Sequence, residues 1–254
     1  MTNPGVIPSV RNYEQVSDAG APIIQTTRNP DRSKPPEALP GPGPERLMRA
    51  GHDAFDRHRL AAAVEIFHEA GTVAAEASDP ERCCEAATAA GVAGIELGLW
   101  LDGLGRRDGA LAALRRGESD CRRALGLARR LARADRAATA NAALALAAVA
   151  LGRADDGHRR AQVALADARS AEQHDAELLA LLAAGGAAWR RGDVSESLRI
   201  LTVAERNAVG AGNNRWLLEL LREQLRALES DGSIDAAYAL SRRTERVAAT
   251  LVDA

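Results

Sequence analysis

The chain has 254 residues, of which 46% are hydrophobic but only 3% aromatic, and its formal net charge is -2. Ala and Leu must therefore carry the core, which close-packed helices permit and a β-sandwich or barrel, built on Val, Ile, Tyr and Phe, does not. The near-neutral balance excludes the global basic signature of a nucleic-acid protein. At this length the chain can bury a core as one solenoid or two small domains.

Nine of the ten prolines, Pro4, Pro8, Pro22, Pro30, Pro35, Pro36, Pro40, Pro42 and Pro44, fall in residues 1–44, where no apolar period occurs. That composition predicts a disordered Pro-rich arm and a helical domain over residues 45–254. From Glu45 onward the chain reads as helix nearly throughout. Pro80 fits a first helical position, with Ser78 or Asp79 placed to cap it. Turns are expected where Gly meets charge, in "DGLGRRDG", "LGRADDG", "RRGDVSE", "VGAGNNR" and "ESDGSID". Asp155, Asp193 and Asp235 are read as early helical residues, where a carboxylate suits the dipole.

"AALALAAVALGRADDGHRRAQVALADA" and "LLALLAAGGAAWRRGDVSESLRILTVA" are two versions of one phrase: Ala/Leu helix, turn, amphipathic helix. Anchoring on the turn aligns His58, Gly105, Gly152, Gly192 and Gly232, at separations of 47, 47, 40 and 40. Seven residues before them stand Gly51, Gly98, Ala145, Gly185 and Leu225. Five after stand Ala63, Ala110, Gly157, Ser197 and Ala237. Nine after stand Phe67, Leu114, Ala161, Leu201 and Ser241; twelve after, Ala70, Gly117, Ala164, Ala204 and Thr244. Small residues recur where two helices of one hairpin must cross closely.

This small–turn–small–large–small pattern resembles the tetratricopeptide repeat (TPR) over about residues 45–250. The match is good at Gly152 and Gly192, fair at His58 and weak at Gly105 and Gly232. The spacing exceeds the family's usual period of about 34 residues, as longer helices would require. The resemblance implies an all-α, right-handed superhelical array of about five helical hairpins, with first helices lining a concave face. It also implies a protein or peptide partner rather than catalysis. On that register the groove residues are Met48, His52, Phe55, Asp56, Ile95, Leu99, Leu146, Val149, Leu182, Trp189, Arg190, Arg222 and Arg226. Phe55 and Trp189, each three residues before its anchor, are the expected aromatic anchors. The Lys, Arg and Asn clamp by which some TPR proteins hold a peptide carboxylate is absent.

Other chemistry is sparse. There is no phosphate loop and no nucleophile elbow, and Lys34 is the single lysine, an arginine bias expected of a GC-rich bacterial genome. No cofactor is implied and no metal site is expected: His52, Asp53, Asp56 and His58 read as a polar helix face, with a metal centre as the competing reading. Cys83 and Cys84 start a helix, which lowers a thiol pKa, but small core residues is the simpler reading, as for Cys121. An odd cysteine count and no signal peptide predict a cytoplasmic protein. No apolar run reaches the length of a membrane span; "ALALAAVAL" is too short.

Arg115, Arg122, Arg129 and Arg136 recur every seven residues and predict a basic stripe along one helix, solvated or facing an acidic partner. A nucleic-acid-associated repeat protein using this stripe is the alternative function. The final helix, "SIDAAYALSRRTERVAATLVDA", carries Ile234, Tyr238, Val247 and Leu251 without an evident capping partner, so either a further domain or a contact with another chain, such as a homodimer, is expected there. The Arg- and Ala-rich array of extended repeats, ending in "ALSRRTERVAATLVDA", resembles the sensory regions that precede GGDEF diguanylate cyclase domains in actinobacteria, others of which precede transcription-factor or kinase outputs. That resemblance implies a regulatory input or dimerisation module; the chain itself has no GGDEF motif.

Overall fold

The computed structural model describes residues 42–252. The expected arm lies outside them apart from its last three residues, and Pro44 is already the first residue of a helix. Ten helices follow in order: α1 (Pro44–Asp56), α2 (Leu60–Glu76), α3 (Pro80–Gly103), α4 (Arg107–Arg130), α5 (Ala134–Ala150), α6 (Ala154–Ser170), α7 (His174–Arg190), α8 (Val194–Gly210), α9 (Asn214–Asp231) and α10 (Ile234–Val252). There is no strand among the described residues. The uneven spacing now has a cause. Helices α3 and α4 have 24 residues where α2 and α5 to α8 have 17, so a single long hairpin lengthens the two intervals that share it.

All nine connections are built alike. Each contains one residue with positive φ: His58, Ser78, Gly105, Ala132, Gly152, Glu172, Gly192, Gly212 and Gly232. The N–H of that residue bonds the carbonyl three back, and the next N–H bonds the carbonyl five before itself. At the third hairpin these are Gly152 N–H to Val149 O at 3.0 Å and Arg153 N–H to Ala148 O at 2.8 Å. This is the Schellman arrangement, which closes the last carbonyls of one helix and delivers the chain directly into the next. The five anchors are the left-handed residues inside the hairpins, and the four others join one hairpin to the next. The two units least like the repeat, at Gly105 and Gly232, are hairpins as well.

Side-chain caps are few. Asp79 accepts from Arg82 N–H at 3.0 Å, with Pro80 at the first helical position. Asp193 accepts from Glu196 N–H and is therefore an N-cap rather than an early helical residue; Asn213 does the same for Trp216 N–H. Asp155 and Asp235 do lie in first turns.

The odd-numbered helices pack on one another along the array, α1 on α3, α3 on α5, α5 on α7 and α7 on α9, while no two even-numbered helices touch through their backbones. A layer that is shorter on one side curls, so the odd helices line the concave face. On the convex side polar pairs tie the even helices: Glu65 to Arg116 at 2.8 Å, His68 to Asp120 at 2.8 Å and Glu205 to Arg243. The exposed pair, Glu65 with Arg116, contributes only up to about 1 kcal/mol.

Within hairpins, packing follows volume exchange. A Cβ on Gly98 or Gly185 would come 2.5 Å from Cγ of Leu114 or Leu201, and one on Gly51 would enter the Phe67 ring. Where the first partner is Ala145, the second is Ala161, and both are fully buried. Helix α3 is long and apolar enough to cross a membrane by length and composition, contrary to the sequence expectation. Here most of it is buried against α2, α4 and α5, and it carries the buried Glu96.

Candidate binding groove

The concave face holds a cavity of about 460 Å³, within the roughly 300–1,000 Å³ of ordinary ligand sites. Helix α1 supplies His52, Phe55 and Asp56; α3 supplies Glu85, Thr88, Ala89 and Val92. Arg136 and Thr139 come from α5, Asp175 and Leu179 from α7, and Trp216 from α9, with Asn213 at its cap. Phe67 of α2 reaches the floor because Gly51 leaves room for its ring. The His52 and Phe55 rings meet Phe67 edge-on, at centroid distances of 5.1 and 6.5 Å.

The polar lining is partly organised. Glu85 pairs with Arg82 at 2.7 Å and with Arg136 at 3.2 Å, so its charge is answered twice. Beside the cavity, but not lining it, Arg133 holds Asp135 at 2.8 Å and keeps that carboxyl below its ordinary pKa. Asp175 accepts a hydrogen bond from the Asn213 side chain at 3.1 Å.

The structure divides the expected groove residues. His52, Phe55 and Asp56 line the cavity. Leu146 and Val149 do not border it and are buried in the main core, as are Ile95 and Leu182; Leu179 and Trp216 are buried in that core too, but at the cavity floor. Met48 is buried in the core of the first hairpin. Leu99 lines a separate hollow of about 220 Å³ with Asp102, Leu111 and Arg190. Trp189 does not share the cavity with Phe55. Its indole N–H donates to Ser230 Oγ at 2.8 Å, and the Arg190 guanidinium lies 4.9 Å from its ring centre. Arg190 stands 3.9 Å from Glu223, which also pairs with Arg226; Arg222 pairs with Glu219 at 2.6 Å. Burial lowers the Arg190 pKa and raises that of Glu219. This second cluster is an internal ion-pair network.

A fixed register fails here because the groove runs diagonally. In α1 it uses positions six to two before the anchor, and in later hairpins positions further back. Val92, Thr139 and Leu179 stand thirteen residues before their anchors; Ala89, Arg136 and Trp216 stand sixteen before. Those two registers carry Trp216, which the expected groove positions, ten to two residues before each anchor, do not reach.

No family model matches the chain, and no curated protein sequence does. Solved structures do. A Rap protein complexed with competence and sporulation factor superposes with a TM-score of 0.66 at 13% identity, over 83% of this chain and 55% of that one. The fold is a TPR-like helical repeat. The chain thus spans little more than half the length of that Rap protein. The TPR-like repeats of a putative kinesin light chain from Podosopora anserina match with a TM-score of 0.48 at 14% identity, covering 83% of this chain and 96% of theirs. The apo form of RapI matches at 0.47 and 11%, covering 83% and 72%.

Elsewhere the TPR-like array corrects the sequence reading at one point. The basic stripe is not one helix face. Ala132, at φ 54°, ends α4 without a Gly or Pro, so Arg115, Arg122 and Arg129 lie on α4 while Arg136 belongs to α5 and faces the groove. Arg122 is also paired with Glu118 at 2.7 Å. The cysteines are buried and free. Burial raises the thiol pKa of Cys84 and Cys121, the reverse of activation at a helix N-terminus. Among the described residues no three His, Cys, Asp or Glu side chains come together to hold a metal, and His58 turns instead toward Glu96 and Trp100.

Proposed function

We propose that this TPR-like array is a non-enzymatic interaction module that holds a segment of another protein, or a peptide, in its concave groove. The carrying observation is the cavity itself: five odd helices converge on one apolar-floored, polar-rimmed space, where half-buried Phe55 stands over the buried rings of Phe67 and Trp216. The Rap structure of the same fold is a complex with a sporulation factor, which supports a ligand-holding role without specifying this chain's ligand. A photo-crosslinking residue at Thr139, in the groove, and another at the exposed Arg159 on α6 test the reading in the native host. Specific adducts form from position 139 and not from 159; adducts from 159 alone contradict the proposal.

The role is regulatory and cytoplasmic on this reading, with the groove as the input to a signalling output of the diguanylate cyclase kind. The resemblance of the array to regions ahead of GGDEF domains supports that step. A second contact surface is proposed on α10, where Ile234 and Tyr238 are 77% and 69% exposed. Val247 packs on the core, and the Leu251 side chain lies outside the described residues. Pairing of two copies there predicts that Ile234→Glu with Tyr238→Glu converts a sedimenting dimer to monomer. A wild type that sediments as monomer at high concentration rejects it.

A further inference from the structure

Resting on the groove assignment, we infer a selectivity: the cavity takes an extended peptide segment in which a cationic side chain lies close to an apolar one. The argument is charge complementarity within an apolar space. Four ionised side chains line the cavity, Asp56, Glu85, Asp175 and Arg136, with the titratable His52 beside them. Glu85 and Arg136 answer one another at 3.2 Å, and Arg82 adds a second cation to Glu85. Asp56 and Asp175 have no cationic partner among the described residues.

Their positions sharpen the point. Asp175 is in the first turn of α7, where the helix dipole stabilises it. Asp56 is the last residue of α1, whose final turn has no basic residue. A carboxylate there adds to the negative end of the dipole and is disfavoured until a cation approaches. The neighbouring Arg57 is engaged elsewhere, with Asp53 at 3.1 Å.

The apolar component is equally specific. Phe55, Ala89 and Val92 are half-buried and offer apolar surface to an aliphatic or aromatic side chain, over a floor of buried Phe67, Leu179 and Trp216. Aromatic faces also attract an ammonium or guanidinium. A peptide carrying Lys or Arg within a few residues of Leu, Ile or Phe therefore satisfies both halves of the site. An acidic peptide meets two unanswered carboxylates, and a purely apolar one leaves them unanswered.

The test is selection of a randomised seven-residue phage-displayed library on the full chain, followed by calorimetry with the synthetic peptides. Selected peptides combine Lys or Arg with a large apolar residue, and replacing that cation by Gln weakens binding about tenfold. The same replacement has no effect on Asp56→Asn/Asp175→Asn, an exposed and isosteric pair of changes. Peptides enriched without any Lys or Arg bias, yet lost on Ala89→Trp, overturn the selectivity and leave the groove standing. Peptides that bind Ala89→Trp as tightly as wild type, or none enriched over that variant, overturn the groove and the selectivity together. Circular dichroism of Ala89→Trp confirms that it remains helical.

Discussion

Gly51 and Gly126 are both helical glycines, and the same substitution should act on them with opposite sign. A Cβ at Gly51 enters the Phe67 ring, whereas one at Gly126 meets nothing within 4 Å. Gly51→Ala is expected to cost about 1–3 kcal/mol through overpacking, and Gly126→Ala to stabilise by about 0.5–1 kcal/mol by restricting the unfolded chain. Thermal melts of the two variants read this directly; equal shifts would mean that volume exchange does not set the hairpin crossing. The buried thiols give a second check. Native protein should react slowly with iodoacetamide at Cys84 and Cys121, and all three cysteines should react promptly once the chain is unfolded. The exchange of Gly for a larger partner at fixed spacing was legible in the sequence, because it depends only on residue volumes within one hairpin.

At the scale of the element, what the sequence concealed was the ends of helices. Gly marks five of the nine left-handed positions, and His58, Ser78, Ala132 and Glu172 occupy the rest. Ala132 and Glu172 announce no turn, so α4 and α5 read as one continuous arginine-bearing helix. A better signal lies four residues earlier. The carbonyl that closes each turn belongs to Ala54, Ala74, Ala128, Ala148, Ala168, Ala188 or Ala208 in seven of nine cases, all buried. A residue without a long side chain lets the next helix begin against it. Holding Ala132 at φ 54° is disfavoured for an L-residue. Ala132→Gly should therefore raise stability by about 0.5–1 kcal/mol, measured as a higher denaturant midpoint. A lower midpoint would show that the turn is not held in the left-handed region.

At the scale of the whole molecule, the repeat could be read but the groove only in part. Sequence register gives the residues equivalent within a hairpin, and on that basis Phe55 and Trp189 were grouped. The cavity draws different positions from successive odd helices, six to two residues before the anchor in α1 and thirteen to twenty before it in α3, α5, α7 and α9. Phe55 stays in it, Trp189 is engaged in an exposed hydrogen bond to Ser230, and Trp216 arrives from a different register. Leu146 and Val149 fall into the core instead. No pattern confined to one hairpin contains this shift.

The two tryptophans separate the accounts. In a Trp100→Phe/Trp189→Phe variant only Trp216 emits, and in a Trp100→Phe/Trp216→Phe variant only Trp189 does. Titrating each with a peptide selected on the wild type should shift the emission and acrylamide quenching of Trp216 while leaving Trp189 unchanged. A response from Trp189 with none from Trp216 would contradict the diagonal groove and return the binding surface to the register read from the sequence.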